Sequence, residues 1–250
     1  MTIEGLALPP DTSLWLAAQL PSIDSTNSHL YQWALREQLS EGALVVADAQ
    51  SAGRGRRQRR WISPKGGLYL SLLLRPTIAP AAVSAITQLA AVALYRAVSS
   101  LVGADELQLK WPNDLLYRGR KVAGILCELA ANGDRLDFVV VGIGVNCRES
   151  DLPGELEAIA TTLPFARGEL FTALVRELEA SYRDFGQRGI GALAGYPRLL
   201  RIVGRRIRIE DGEERVEGVV ARLGPTGTLI LALDDGDERE CCTGDVTLLD

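Results

Sequence analysis

The sequence predicts a mixed α/β domain followed by a small all-β unit. Apolar runs of strand length alternate with segments of helical periodicity over the first two hundred residues. The last fifty residues contain only short strand-like runs separated by turn residues. The 250 residues are 47% hydrophobic and 24% charged, which is typical of a globular chain.

Three strands and two helices are predicted in the first hundred residues. The strands cover residues 13–20, 43–47 and 68–76, and ALVVA at 43–47 is of the fully buried type. Asp24, Ser25 and Thr26 are good N-cap residues, so a helix is predicted to follow them to about Leu39. Pro80 opens a second helix to about Leu101, because apolar residues recur there at helical spacing.

The α/β region is predicted to continue with three strands and a third helix. The strands lie near 107–111, 122–130 and 137–147. Residues 148–167, with Pro153 and Pro164, are predicted to form an irregular connection. A helix is predicted over 168–186, where the apolar residues share one face.

The C-terminal fifty residues predict a small β-barrel. Five runs are strand-like, and DG, GPTG and DDGD separate them as turns: RRIRIED, RVEGVVARL, GTLILALDD, ERECCT and DVTLLD. The predicted division is therefore a domain over 1–202 and a second domain over 203–250.

Composition and charge exclude several classes of protein. The net charge of −5 argues against bulk binding to polyanions. No uninterrupted apolar run reaches the ~18 residues of a membrane span, and the N-terminus has no signal-peptide pattern, so a cytoplasmic protein is expected. No C-x-x-C pair is present and His29 is the only histidine, so neither a structural zinc site nor a multi-histidine metal site is expected.

A basic segment containing glycine covers residues 50–61. It reads QSAGRGRRQRRW, with five arginines between Arg54 and Arg60. Glycines let backbone N–H groups approach a ligand, successive N–H groups form anion-binding nests, and arginine forks match phosphates. The alternatives are a solvated basic loop or a nucleic-acid patch. The interleaved glycines and Trp61 favour a phosphate-binding loop, although not a Walker A loop, because G-x-x-x-x-G-K-[ST] is absent.

Lysine is rare in this chain, and its positions are informative. Of the 27 basic residues only three are lysine, and two of these, Lys110 and Lys121, lie in one twelve-residue segment. Lysine is a compact point charge whereas arginine is a planar fork, so the two are not equivalent. Lys110 opens K-W-P-N-D, and Lys121 opens K-V-A-G-I-L. W-P-N-D is also good turn chemistry, but the two lysines favour a functional segment.

Two further segments have a structural and a functional interpretation. VGIGVN at 141–146 places two glycines in an apolar strand. This indicates either a bulge or the close approach of another group to the backbone. S-T-N at 25–27 is, taken alone, a helix cap.

Together, the four segments resemble the biotin–protein ligases, also called biotin–[carboxylase] ligases. That family has S-T-N, Q-x-x-G-R-G-R-x-G-R-x-W, K-W-P-N-D with K-x-x-G-I-L, and G-I-G-x-N. This chain has matching segments in the same order and at similar spacing, from about residue 14 onward. The resemblance implies an α/β (α+β) fold like that of class II synthetases and biotin ligases, with a mixed central sheet and flanking helices. It also implies that the C-terminal barrel is SH3-like.

The resemblance further implies an ATP-dependent, AMP-forming ligase. Biotin's carboxylate would attack the α-phosphorus of ATP to give biotinyl-5′-AMP, and a lysine of a biotin carboxyl carrier domain would then attack this intermediate. Because the substrate carboxylate is the first nucleophile, the protein would supply positioning and positive charge. ATP and biotin are the implied substrates. Mg²⁺ would arrive with the nucleotide phosphates, and no metal site is expected in the protein itself.

The site residues follow from their positions in the matching motifs. The implied biotin-binding residues are Ser25, Thr26, Asn27, Gln50, Arg54, Gly55, Arg56, Lys121, Gly124 and Ile125. The implied ATP-binding residues are Arg56, Arg59, Trp61, Asn113, Lys121 and Asn146. The implied catalytic residues are Lys121, Arg56 and Asp114. Lys121 would bridge biotin's carboxylate and the α-phosphate, and Asp114 would be a base or an orienting group for the acceptor lysine.

The chain departs from the family pattern in two places. Gln58 stands where the family usually has glycine, and a side chain there restricts a loop that must order over the intermediate. Only twenty-four residues precede S-T-N, too few for a helix-turn-helix domain, so the ligase-only form is expected.

Two rival interpretations stay open. One is a lipoate or octanoate ligase, which the shape of the pocket would decide. The other is a biotin-sensing transcriptional regulator, which the net charge of −5 and the missing basic reading domain argue against. The expected partner is the carrier domain, with no DNA and no membrane, and a homodimer is left open.

Overall fold

The computed structural model describes residues 6–148 and 150–249, which contain two β-sheets and four α-helices. The strands of the first sheet are β1 (Trp15–Leu20), β2 (Ala43–Ala47), β3 (Leu68–Leu74), β4 (Leu107–Lys110), β5 (Asp114–Tyr117), β6 (Arg120–Asn132) and β7 (Arg135–Val145). The helices are α1 (Thr26–Arg36), α2 (Ser84–Val102), α3 (Arg167–Arg188) and α4 (Tyr196–Leu200). The strands of the second sheet are β8 (Arg206–Asp211), β9 (Glu214–Leu223), β10 (Leu229–Ala232), β11 (Glu238–Cys241) and β12 (Asp245–Leu248).

The first sheet is mixed, as the sequence predicts. Its strand order is β1-β2-β3-β7-β6-β5-β4. Strands β1 and β2 are parallel and are joined through α1, whereas the other neighbours pair antiparallel. The long hairpin of β6 and β7 therefore lies in the centre of the sheet, next to β3.

Helices cover both faces of this sheet. On one face, α1 packs through Leu30 and Ala34 against Val45, Leu73 and Val140. On the other face, α2 and α3 belong to the larger apolar cluster. Because the N-terminus of α1 lies over β3 and β7, the S-T-N segment is brought to the middle of the sheet.

Helix α2 and the turn before it form a long apolar segment, although the sequence contains no uninterrupted apolar run of membrane-spanning length. By length and composition, Pro80–Val102 could cross a membrane, because a span tolerates a few polar residues within it. Most of its residues are buried inside the protein. The apolar character of α2 is thus that of a core helix packed between the sheet and α3.

The C-terminal segment forms the five predicted strands in one antiparallel sheet. Its order is β11-β10-β9-β8-β12. Closure into an SH3-like barrel stays a prediction, because β11 and β12 stand at the two ends of this order. The apolar cluster continues without a break from α2 into this sheet through Ile207, Val220 and Leu231. The predicted division between residues 202 and 203 therefore runs through a shared core, where Ile202 is buried.

Two predictions along the chain need comment. A further strand, β5, begins at Asp114 inside the W-P-N-D segment, where the sequence predicts turn residues. Four residues with turn-forming neighbours gave too short a pattern to recognise. Residues 1–5 of the predicted first domain, Glu149 of the predicted connection and Asp250 of the last predicted strand lie outside the described residues.

Candidate active site

A cleft lies where the N-terminus of α1 and residues 50–61 face strands β6 and β7. Its cavity volume is about 160 Å³. All but one of the predicted site residues line it: Ser25, Thr26, Asn27, Gln50, Arg54, Gly55, Arg56, Arg59, Trp61, Asn113, Asp114, Lys121, Gly124 and Ile125. Four segments that are distant in sequence thus meet in one place.

The inner end of the cleft is a network of neutral polar side chains, called here the polar floor (Thr26, Asn27, Gln50, Ser71). The backbone N–H of Thr26 donates to Gln50 Oε1 at 2.9 Å, and Gln50 Nε2 donates to Ser63 Oγ at 2.9 Å. Ser71 Oγ lies 2.9 Å from Thr26 Oγ1 and 2.6 Å from Asn27 Oδ1. Because Thr26, Asn27 and Ser71 are buried, their hydrogen bonds hold them in one arrangement.

Ser25 has both of the roles that the sequence allowed. Its Oγ accepts a hydrogen bond from the backbone N–H of Ser28 at 3.3 Å, which makes it the N-cap of α1. It also lines the cleft and is buried. The cap therefore fixes where the polar floor begins.

The two glycines of β7 are explained by close contacts of side chains with the strand. A Cβ atom on Gly142 would lie 2.2 Å from Asn27 Oδ1, and one on Gly144 would lie 2.5 Å from Trp61 Nε1. Both distances are too short for a real contact. The functional interpretation of VGIGVN is thus supported, since groups that line the cleft approach the backbone here.

Residues 50–61, called here the arginine loop, fold back on themselves. Gly55 donates its N–H to the carbonyl of Arg59 at 2.8 Å, and Trp61 donates to the carbonyl of Gly53 at 2.9 Å. Arg57 and Gln58 at the tip have positive φ values of 54° and 59°. Gln58 thus occupies a left-handed conformation that glycine adopts without strain, which gives a physical basis to the departure noted in the sequence.

The tip of the arginine loop is held by carboxylates of the second sheet. Arg59 donates to both oxygens of Asp245, with 3.1 Å between NH1 and Oδ1. Arg57 forms an ion pair with Asp211 and lies 3.5 Å from Asp245. These four side chains are partly exposed, so their pairs are weakened by salt.

Arg56 and Asn113 connect the loop to the start of β5. Arg56 NH1 lies 3.5 Å from Asn113 Oδ1, and its other terminal nitrogen donates to Thr243 Oγ1. Asn113 Nδ2 donates to the carbonyl of Ile125 at 2.7 Å, and the Asn113 backbone carbonyl accepts from the Ile125 N–H at 2.9 Å. These contacts hold Arg56 and Asn113, two of the residues predicted to bind ATP, in place in the cleft.

Lys121 lies between an acidic and an aromatic side chain. Its Nζ is 2.8 Å from Asp114 Oδ1 and 5.2 Å from the centre of the Trp61 ring. Trp61 Nε1 is buried and has no hydrogen-bond partner within the described part of the chain. Asp114 thus positions Lys121 directly, a contact that the family pattern alone did not reveal.

Electrostatic effects on the pKa differ between the half-buried Arg56 and the exposed Arg59. Burial lowers the pKa of the Arg56 guanidinium below its ordinary value, and Arg57 lowers it further. A hydrogen bond to Asp245 raises the pKa of Arg59, and the same bond lowers the pKa of Asp245. Since the folded pKa of Asp245 is depressed, the pair stabilises the fold above the ordinary pKa of aspartate and is lost as the pH falls through the lowered value.

Asn146 is the predicted site residue that does not line the cleft. It is buried, its Nδ2 donates to the carbonyl of Thr161 at 3.2 Å, and its carbonyl accepts from the Leu163 N–H at 2.9 Å. The connection before α3 therefore covers it. Its Oδ1 has no partner within residues 6–148 and 150–249, and a role in nucleotide binding stays a prediction.

The sequence interpretation missed the acidic side of the site. Asp245 lines the cleft although 186 residues separate it from Arg59. No local pattern marks this aspartate, since it is the first residue of a strand of only four residues. Ser71 was also missed because it lies inside an apolar strand, where one polar residue on the α1 face was the only indication.

Comparison with known proteins agrees with this geometry. The model of the biotin/lipoate A/B protein ligase family matches residues 19–146. The bifunctional ligase/repressor BirA of Bacillus subtilis is 42% identical over 209 residues, covering 80% of this chain and 64% of that protein. The biotin–[acetyl-CoA-carboxylase] ligase of Mycobacterium tuberculosis is 33% identical, covering 83% of this chain and 79% of that protein.

A solved structure has the same fold. The biotin protein ligase from Aquifex aeolicus in complex with biotin and ATP aligns with a TM-score of 0.77 at 27% identity, over 93% of this chain and 97% of that chain. The present chain spans less than two thirds of the length of the first curated relatives that it matches. Since the family model covers half of its residues, the chain belongs to the biotin/lipoate A/B protein ligase family.

Proposed function

We propose that this protein activates biotin with ATP to biotinyl-5′-AMP and transfers the biotin to a lysine of a carboxylase's biotin carboxyl carrier domain. The observation that carries the proposal is the meeting of two chemically different ends in one cleft. The polar floor offers neutral hydrogen-bonding groups that suit the ureido ring of biotin. Arg56 and Lys121 offer positive charge that suits phosphates, and glycine-containing strands lie between the two ends.

The first step joins biotin to the nucleotide. A carboxylate oxygen of biotin attacks the α-phosphorus of ATP, the bond between the α-phosphorus and the bridging oxygen breaks, and pyrophosphate leaves. Negative charge grows on the phosphate oxygens in the transition state. Lys121 and Arg56 are placed to stabilise this charge, and Asp114 holds the Lys121 ammonium in position before the ligands arrive.

The second step transfers biotin to the acceptor. The neutral amine of the acceptor lysine attacks the carbonyl carbon of the acyl-adenylate, AMP leaves, and the amine loses a proton. Asp114 is a carboxylate in the cleft and is a candidate to accept that proton once Lys121 has turned to the phosphates. Asp114 would therefore position Lys121 in the first step and accept a proton in the second.

Magnesium would accompany the nucleotide. No group of three or more His, Cys, Asp and Glu side chains suited to a metal lies together in the described ranges. Asp114 and Asp245, the two aspartates of the cleft, are paired with Lys121 and Arg59. This donor set fits Mg²⁺ bound mainly through phosphate oxygens, where it would reduce the charge of the triphosphate.

The names of similar proteins support biotin over other acids. The Mycobacterium tuberculosis relative is a biotin–[acetyl-CoA-carboxylase] ligase, and the Aquifex aeolicus structure contains biotin and ATP. The family name also includes lipoate, which lacks the two ureido N–H groups that the polar floor would bind. The ligation is proposed to take place in the cytoplasm, where ATP is available. The proposal does not extend to DNA binding, because the geometry of the cleft bears only on ligation.

Incubation with labelled biotin, Mg-ATP and a carrier domain tests the proposal. We expect covalent label on the carrier that depends on both biotin and ATP. A carrier whose acceptor lysine is replaced by arginine is the matched control and should stay unlabelled. Transfer of lipoate or octanoate in preference to biotin would contradict the substrate assignment.

A further inference from the structure

Glu128 on β6 lies at the edge of the polar floor and contacts two residues of the proposed biotin site. It points to the same sheet face as Gly124, because side chains alternate along a strand. Its Oε2 accepts a hydrogen bond from Asn27 Nδ2 at 3.0 Å, and its Oε1 forms an ion pair with Arg54 NH1 at 2.7 Å. One carboxylate thus joins the start of α1 to the arginine loop.

The first contact fixes the orientation of the Asn27 amide. Asn27 Nδ2 donates to the backbone carbonyl of Leu126 at 3.1 Å as well as to Glu128. Both partners can only accept, so only the nitrogen of the amide fits on this side. The oxygen of Asn27 is then directed to Ser71 Oγ, 2.6 Å away. An amide in place of the Glu128 carboxylate could also donate, so only the Leu126 carbonyl would still require the nitrogen on this side.

The second contact restrains the first half of the arginine loop. The Arg54 side chain is 50% exposed and that of Glu128 is 20% exposed, so the pair is partly shielded from solvent. Arg54 also donates to Ser28 Oγ on α1 at 3.3 Å. The tip of the loop is held from the opposite side by Asp245. Glu128 is thus the carboxylate that keeps the biotin-facing half of the loop next to the floor.

We propose that Glu128 is a positioning residue for biotin binding, acting through Asn27 and Arg54. This inference rests on the proposed function. Glu128 does not line the cleft itself and would not touch the reacting atoms. Its carboxylate fixes a floor amide and a loop guanidinium at once, so its loss affects the biotin end of the site and leaves the phosphate end, with Arg56 and Lys121, unchanged.

The test is Glu128→Gln in the full chain, with KM for biotin, KM for ATP and kcat measured separately. Removing the charge weakens two charge-assisted hydrogen bonds, so KM for biotin should rise about tenfold. KM for ATP and kcat should stay within about twofold. The matched control is Glu106→Gln, which removes a carboxylate from a surface pair with Arg118 and should change none of the three. An unchanged KM for biotin, or an equal loss in all three constants, would overturn the inference.

Two further variants separate the contacts. Glu128→Asp keeps the charge but is one methylene shorter, so it can serve Asn27 or Arg54 but not both, and the rise in KM for biotin should be intermediate. In an Arg54→Ala background, Glu128→Gln should still raise KM for biotin, because the Asn27 contact remains to be lost. A complete absence of effect in that background would overturn the action through Asn27.

The outcome is distinguishable from a failure of the proposed function. If the unaltered protein labels no carrier with biotin, the proposed function fails, whatever Glu128 does. If the unaltered protein is active and the Glu128→Gln variant has the same KM for biotin as the unaltered protein, only the positioning role fails. Thermal unfolding of each variant shows whether the fold is retained.

Discussion

Each end of the cleft is held in place by a different kind of interaction. The polar floor is made of neutral side chains that are mostly buried and bonded to one another. The arginine rim, formed by Arg56, Arg57 and Arg59, is more exposed and is held by carboxylates and a hydroxyl of the second sheet. Hydrogen bonds in a buried network depend little on salt, whereas partly exposed ion pairs are screened by it.

Under the proposed function, this difference indicates that the floor and the rim have different roles. A floor that is fixed before the ligand arrives binds without reorganisation and therefore favours affinity and selectivity. The arginines of the rim already pair with carboxylates. They can exchange these carboxylates for the phosphates of a nucleotide, which carry more negative charge. Changes to the floor should therefore alter the affinity for biotin, and changes to the rim should alter rates and the response to salt.

The largest expected effect is that of Lys121→Ala. If Lys121 stabilises charge that grows in the transition state, its removal should slow formation of biotinyl-5′-AMP by ~10²–10³ and leave the fold intact. Lys121→Arg should restore little, because a planar fork cannot replace a point charge between two anions. Rapid-quench measurement of the intermediate tests both variants, and Lys65→Ala, at an exposed position, is the control. Near-native rates in Lys121→Arg would show that local charge alone suffices.

Gly142→Ala should disturb the floor. The added Cβ would lie 2.2 Å from Asn27 Oδ1, so the Asn27 side chain must move. Forcing a buried group from its place typically costs ~1–3 kcal/mol, so the Kd for biotin should rise about tenfold or more. Calorimetric titration with biotin measures this. Gly186→Ala in α3 is the control, because nothing lies near its added Cβ, and it should bind biotin normally. Unchanged biotin affinity in Gly142→Ala would argue against a preorganised floor.

Salt should separate the two ends directly. At ~1 M salt the Debye length is only ~3 Å, so the pairs of Arg57 and Arg59 with the second sheet should weaken. We expect amide hydrogen exchange within residues 56–59 to accelerate severalfold, while exchange of the Thr26 amide, which donates to Gln50, stays the same. Asp245→Asn at low salt should reproduce the change at the loop tip. Equal responses at both ends would remove the distinction between them.

The smallest expected effect is that of Gln58→Gly. Gln58 has a φ of 59°, which glycine adopts more easily, so the free energy of unfolding should change by less than ~1 kcal/mol. The loop should then order more readily over the intermediate, and release of biotinyl-5′-AMP should slow by a few fold. Retention of labelled intermediate after rapid desalting measures this. Identical retention in both proteins would mean that the missing glycine has no consequence for the loop.

The part of the polar floor that comes from α1 and the arginine loop could be predicted from the sequence, together with the cap before it, because the signals are local. Ser25 is a helix cap with a standard pattern, and Gln50 follows a buried strand at the start of a recognisable loop. The motifs lay in the right order, and the sheet brings them together as the family resemblance implied. The two glycines of β7 were also visible as an anomaly in an apolar strand.

The anchors of the rim could not be predicted in the same way. Asp245 and Asp211 are ordinary residues at the ends of short strands, and only the packing of the second sheet against the first places them beside Arg57 and Arg59. Glu128 alternates with apolar residues of β6 and looks like a solvent-facing side chain until α1 is placed over it. Such contacts depend on the register between distant elements, which no local pattern encodes.

The apolar cluster that runs from α2 into the second sheet limits how this protein can be recombined with others. Trp111 Nε1 donates to the carbonyl of Gly227 at 2.9 Å, and Gln88 Nε2 donates to that of Thr226 at 2.6 Å, so the β9–β10 turn is built into the larger part of the molecule. A chimera that exchanged the last fifty residues as a cassette would have to match this seam as well as the arginine rim. Homologous C-terminal segments should therefore be transplantable only together with their own α2 and W-P-N-D hairpin.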